Sequence, residues 1–288
     1  MIAELLQLLI NGLLAGTLLA VPAIGFTAVY AVLRFPNFAV ASLATIGAYA
    51  GFIANVWFGL PAAAALLAAF LAAGAIGVAS DEIVLKRLRV SGPLTVAIAS
   101  VALTIVLENV IRFGFGNDQL GYDLPVLRDW RVGGLRIGPQ QVYNALAACA
   151  AMAALFLFLA FTRTGKMMRA VADNPTLAAL KGIDANTVAR LANFIGMGLA
   201  GFGGMLIGLD TQIDPLTGFR VMLSVFAAAV VGGLGSIPGA VVGAFVVGVG
   251  EELSIVVLDP SYRTAVGFVA ILVVLSFRPR GLLGERAY

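Results

Sequence analysis

The chain has 288 residues, 61% hydrophobic and 11% charged, against roughly a quarter charged in soluble domains, which excludes a water-soluble fold and leaves an all-α, polytopic membrane bundle. With no histidine and one cysteine, Cys149, a histidine-based triad, a thiolate metal cluster and an intrachain disulfide framework are excluded too. The net charge of +3 suits loops that orient a membrane protein and gives no reason to expect nucleic acid.

The first apolar run, 5–33, lacks the preceding positive charge of a secretory signal and contains Pro22, so it predicts a retained span, kinked or broken at the proline. Further runs over 38–57, 61–79, 93–115, 142–161 and 189–209 are long enough to cross. The stretch 221–258 is too long for one crossing, and Gly232-Gly233-Leu234-Gly235-Ser236-Ile237-Pro238-Gly239 divides it into two. The last run, 264–277, is short and needs Val257 and Leu258 or a tilted path. The sum is about eight or nine spans in one domain covering 1–288.

Basic residues orient this bundle. The loops 80–92 and 162–190 and the tail after Phe277 hold 11 of the 18 Lys and Arg, and Arg34 joins them. Two spans separate the first two of these segments and four separate the second from the tail, so all three fall on one side. That side is cytoplasmic by the positive-inside rule, with the amino terminus outside and the carboxy terminus inside. The connection 116–141 is then extracytoplasmic; its mixed charges, five Gly and two Pro predict a small exposed hairpin.

Within 162–190, Asp173-Asn174-Pro175 places a capping residue ahead of a proline at the first helical position, and Gly182 stands where a C-terminal glycine belongs. The residues between make a helix of about two turns with Leu177 and Leu180 on one face, and Asp184 caps the helix that follows. Such a helix either docks another protein or lies on lipid. There is no P-loop, because Ala160 stands where the pattern ahead of Gly165-Lys166 needs glycine, and the run 232–239 fails as a dinucleotide fingerprint. ATP, if used, is bound elsewhere.

Small residues recur every four positions at Gly196, Ala200, Gly204 and Gly208 and again at Gly239 and Gly243, spacing that lets helix backbones approach. Proline among glycines at 232–239 frees backbone groups that protein or a water-filled cavity must cover, which suits a pathway-lining or hinge role. Ionisable groups inside spans need a reason. Glu108 has Arg112 four residues on; Glu251 and Glu252 have no basic residue within a turn, leaving pathway lining and pairing to a distant helix both open. Asn11, Asn37, Thr104, Asn109 and Asn193 read as interhelical hydrogen-bonders.

Several stretches resemble one family, the LivH-type permease subunits of bacterial ABC importers for branched-chain amino acids. They are Thr162 to Lys166 with Arg169-Ala170, Asp173-Asn174-Pro175 and Leu180 to Asp184; then Ala229 to Ala240; then Arg278-Pro279-Arg280-Gly281-Leu282-Leu283-Gly284. The resemblance runs nearly end to end and implies a multi-pass protein of the bacterial inner membrane. It implies as partners a second, LivM-like permease subunit or a second copy, two cytoplasmic ATPase subunits and a periplasmic solute-binding protein. The chain then has no cofactor of its own, ATP and Mg being bound by the ATPases. The resemblance makes 162–190 the coupling loop, with Arg169, Asp173, Asn174, Pro175, Leu177, Leu180 and Gly182 as coupling residues, and it marks Glu251 rather than Glu252 as the family's acidic position. The candidate substrate path comprises Asn37, Gly233, Gly235, Pro238 and Glu251. The sequence departs from the family after Asn37-Phe38-Ala39, where Val40-Ala41-Ser42 replaces the usual His-Gly and frequent acidic residue, giving a less polar stretch.

The expectation is therefore a permease subunit, not an enzyme, importing branched-chain or other hydrophobic amino acids, or a related small amide or carboxylate, by alternating access. The competing reading is a stand-alone, ion-gradient-driven carrier or channel with Glu251 or Glu252 as its proton site. An intramembrane enzyme without histidine would need a rare Ser/Lys or paired-acid centre.

Overall fold

The computed structural model describes residues 2–125, 128–132, 135–256, 259 and 262–284. Val257 and Leu258, invoked above to extend the last span, lie outside the described residues, as does Arg286 of the basic tail. The helices are α1 (Ile2–Leu33), α2 (Val40–Phe52, continued by a π-helical turn Ile53–Trp57), α3 (Ala62–Ser80, continued by a π-helical turn Asp81–Leu85), the short α4 (Lys86–Leu88) and α5 (Pro93–Phe115). After the strands β1 (Trp130–Val132) and β2 (Leu135–Ile137) come α6 (Pro139–Phe161), α7 (Arg163–Asp173), α8 (Pro175–Leu180), α9 (Ala185–Asp210), α10 (Thr217–Gly232), α11 (Ile237–Ser254) and α12 (Arg263–Phe277).

Seven helical stretches among the described residues are long and apolar enough to cross a membrane, and α10 and α12 are shorter apolar helices. Together they account for the nine runs read from the sequence, including the division of 221–258. The break expected at Pro22 does not occur, since α1 continues through it. Pro22 still withdraws a backbone donor, but its ring packs on Gly203 of α9, where a Cβ would stand 2.6 Å from Pro22 Cδ.

Small residues build the centre of the bundle. Gly25 of α1 meets Gly196 of α9 backbone to backbone; Gly47 and Ala44 of α2 meet Gly201 and Gly204 of α9; Gly12 and Gly16 of α1 meet Val249 and Gly248 of α11. Lipid supplies no hydrophobic drive between helices, so close packing at such seams does the holding. Ala20, Ala23, Ala192 and Ala200 are accordingly fully buried. Of the polar groups read as interhelical, Asn193 donates to the Gly77 carbonyl of α3 (2.9 Å) and Thr104 to the Phe38 carbonyl (3.1 Å). Asn109 instead donates to Ile105 and Asn11 accepts from Gln7, each within its own helix.

One end of the bundle carries the segment 116–138. β1 and β2 pair antiparallel, Trp130 opposite Ile137, as the expected hairpin. The segment is pinned by the Leu120–Ile213 bridge, by Asn55 Oδ1 accepting from Asp123 N (2.8 Å) and by Gln7 bonding both backbone groups of Arg136. The Tyr122 hydroxyl donates to the Ala48 carbonyl (2.9 Å). Burial, with a lesser contribution from Tyr49, pushes this phenol above the usual tyrosine value and keeps it a donor. The opposite end carries 34–39, 81–92, α7, α8 and the tail.

Candidate functional site

The connection between α6 and α9 is folded from local signals. Thr162 Oγ1 accepts from Gly165 N (2.9 Å) and starts α7, whose buried Gly165, Met168 and Val171 alternate with the exposed Lys166 and Arg169. Chain reversal needs Gly165, because a Cβ there would sit 2.5 Å from Leu159 Cα of α6. The sequence reading did not name α7, although the threonine cap and the apolar spacing at 165, 168 and 171 were available to it.

α7 ends at Asp173, and α8 follows as expected. Asn174 Oδ1 accepts from Leu177 N (3.0 Å), and Pro175 occupies the first turn, where its missing N–H costs nothing. Gly182 closes the helix at φ +81°, with Gly182 N–H donating to Ala179 and Ile183 N–H to Ala178. The Asp184 carboxylate accepts from Asn186 N (3.0 Å) and Thr187 N (3.2 Å) to cap α9. Ala178 alone of α8 is buried, while Leu177 and Leu180 are 56% and 80% exposed.

Within the bundle, Glu251 and Glu252 are 5% and 8% exposed. Ser224 Oγ of α10 donates to Glu251 Oε1 (2.5 Å), and Arg263 of α12 pairs with Glu252 (2.5 Å) and lies 3.8 Å from Glu251. Of the two readings left open for these acids, the geometry is that of pairing to distant helices. Neither Ser224 nor Arg263 was picked out from sequence, and no local spacing signals a contact between helices. Glu108 and Arg112 form the expected ion pair at 2.6 Å.

The remaining path candidates are dispersed. Asn37 is buried where the chain turns from α1 back into the bundle, its Oδ1 accepting from Ala39 N (3.1 Å), while Phe38 N–H donates to Ser100 Oγ of α5 (2.9 Å). Pro238 lies in the first turn of α11, which Ser236 caps through Gly239 N. Gly235 has φ +94° in open space. Gly233, at φ +112°, is covered by the tail: Leu282 N–H and Leu283 N–H donate to Val231 O (2.8 Å) and Gly232 O (2.9 Å), and a Cβ at 233 would stand 2.6 Å from Gly284 N. The carbonyls freed at this break are therefore taken by protein. Val40, Ala41 and Ser42 are buried, and Gly218 of α10 packs directly on the Ala41 carbonyl while donating to Thr45 Oγ1 (2.9 Å).

A glycine-packed bundle of membrane-length helices, with one short capped helix projecting from its end, defines a multi-pass membrane protein. Residues 8–275 match the family described as the branched-chain amino acid transport system / permease component. The chain is 32% identical to the high-affinity branched-chain amino acid transport system permease protein LivH of Salmonella typhimurium, over 97% of this chain and 96% of that one. It is equally similar, at 32% and the same coverage, to the corresponding permease protein BraD of Pseudomonas aeruginosa. The chain belongs to the branched-chain amino acid transport permease family. In fold it resembles PsaBC from Streptococcus pneumoniae in complex with Fab, with TM-score 0.53 and 14% identity over 97% of both chains.

Proposed function

We propose that the chain is the membrane half of an ATP-driven importer of branched-chain or other hydrophobic amino acids, with α8 as the helix that seats on a cytoplasmic ATPase subunit. The projection of Leu177 and Leu180 from a helix capped at both ends carries this reading. Two apolar side chains held at the water-facing end of a basic segment leave most of their surface uncovered by the chain itself and suit a protein groove. Gly182 supports the same surface, since no atom lies within 4 Å of a Cβ built there. The complex comprises this permease, a LivM-like partner or a second copy, two ATPase subunits that bind ATP and Mg, and a solute-binding protein. That protein meets the side carrying 116–141. The amino terminus is outside, the carboxy terminus inside, and 162–190 is the coupling loop, with Arg169 and Asp173 on α7 ahead of its apolar pair.

Asn37 is retained on the substrate path. Glu251, Gly233 and Pro238 are assigned instead to holding α10, α11, α12 and the tail together, Gly235 to the turn between α10 and α11 through its positive φ, and Arg263 beside Glu251 weakens the case for a proton-driven carrier. The test is copurification of the tagged chain with its ATPase subunits, followed by uptake of radiolabelled leucine in vesicles. Leu180→Glu should leave the thermal midpoint unchanged and abolish both ATPase association and ATP-dependent uptake. Retained association in Leu180→Glu, or uptake driven by a proton gradient alone, would overturn the reading.

A further inference from the structure

If α8 receives the ATPase, as proposed above, its movement must reach the membrane helices, yet Ala178 is its one buried residue. Two ties flank it. Ahead of α8, the Arg34 guanidinium donates to the Ala172 carbonyl in the last turn of α7, a carbonyl with no partner inside the helix and a place where a cation is favoured. Beyond α8, Arg190 Nε of α9 donates to Glu82 Oε1 (2.6 Å), which Lys86 also engages.

The two ties meet. Asp81, next to Glu82, is buried and accepts from Arg89 Nη2 at 2.5 and 2.6 Å, and the Arg89 guanidinium lies 5.8 Å from the centre of the Phe35 ring. Phe35, buried with Leu85 and Val96, directly follows Arg34. A ring of contacts thus runs from α7 through Arg34, Phe35, Arg89, Asp81, Glu82 and Arg190 to α9, with α8 between its ends. Two backbone features mark the ring. Arg34 has φ +59°, alone among the described non-glycine residues in being positive, a region that a long side chain enters only where its surroundings hold it. Residues 81–85 form a π-helical turn, a rare form frequent at functional sites. From Arg34 the chain enters 35–39, reaching Asn37 and the start of α2.

We propose that Arg34 is a positioning residue for transport: its left-handed backbone and its bond to Ala172 transmit displacement of the coupling loop to 35–39 and α2, while Arg190–Glu82 braces the other flank of α8. Arg34 is exposed, so this bond adds little to stability and its role is separable from folding.

The test uses the permease copurified with its ATPase subunits and reconstituted with the solute-binding protein. Arg34→Met keeps the stem and removes the donors; Arg34→Lys restores a donor sufficient for one carbonyl. Arg34→Met should bind ATPase and hydrolyse ATP at the basal wild-type rate, while labelled leucine imported per ATP falls about tenfold, within the range of a typical coupling free energy between two sites. Arg34→Lys should recover most of that ratio. A nonhydrolysable ATP analogue should alter hydrogen exchange over residues 35–43 in wild type and not in Arg34→Met. An unchanged ratio in Arg34→Met, an equal loss in Arg34→Lys, loss of ATPase binding in Arg34→Met, or no nucleotide effect on 35–43 in wild type each overturns the proposal. Leu180→Glu run alongside separates the two readings: if it still binds ATPase, the coupling assignment of α8 fails whatever Arg34 does. If it loses ATPase while Arg34→Met stays fully coupled, the Arg34 proposal alone falls.

Discussion

The α2–α9 seam and the 174–184 segment both depend on glycine, for different reasons. At the seam, a Cβ on Gly204 would meet the Ala44 carbonyl oxygen inside contact distance, so glycine is needed for space and any side chain separates two helices. At Gly182 there is space for any side chain, and glycine is needed because φ is +81°. The first region is held by long-range packing that admits no slack; the second stands on its own caps and touches the bundle through Ala178 and Ile183. A rigid body carrying a locally determined handle results, and perturbations of the two should differ in size and in reach.

The largest effect is expected at the seam. Gly204→Leu sets a side chain against backbone that no rotamer change moves, costing about 3 kcal/mol or more, and should abolish the monodisperse peak in size-exclusion chromatography of detergent extracts. Arg263→Met comes next. It leaves Glu251 and Glu252 buried without their cation; because Arg263 is itself 38% exposed, solvent screening cuts the loss to about 1–3 kcal/mol, between an exposed and a buried pair, and it should lower the thermal midpoint of the whole bundle. A wild-type midpoint there would show that the pair contributes nothing to the packed half. On the handle, Asn174→Ala removes one cap at about 1 kcal/mol, and should speed amide exchange in 174–181 while leaving the bundle midpoint unmoved. If the midpoint moves too, the handle and body are not separable.

The smallest effect is one of pH. Hydrogen bonds from Thr187 Oγ1, then from Asn186 N, hold the Asp184 carboxyl below the usual aspartate value. A depressed folded value means that the cap's contribution is complete above the ordinary carboxylate range and fades as pH falls through the folded value. Protection factors of the Asn186 and Thr187 amides should drop on acidification in wild type and stay flat in Asp184→Asn, which keeps an acceptor without the titration.

Legibility from sequence follows the same division. Apolar run length predicted the nine apolar helices found among the described residues, and the caps of α8 and α9 were readable because each uses residues within four positions of the other. The Glu108–Arg112 pair was legible for the same reason. Of the kink or break expected at Pro22 only the break is excluded, because a proline signals a lost donor but not the Gly203 surface that accommodates its ring. The glycines at 232–239 marked a break correctly, yet that Leu282 and Leu283 cover it depends on a tail 50 residues away along the chain.

By itself the sequence determined that the protein lives in a membrane, about where its apolar helices run, and that 174–182 forms a short capped helix, because hydropathy, capping and glycine backbone preference act over a few residues. Tertiary structure alone decided that Arg263 and Ser224 answer the buried glutamates, that the tail closes the α10–α11 turn, and that Arg34 joins α1 to α7. Each of these contacts joins residues on different elements, from 11 to well over 100 positions apart, and only the close approach of glycine-bearing helices brings them within hydrogen-bonding range.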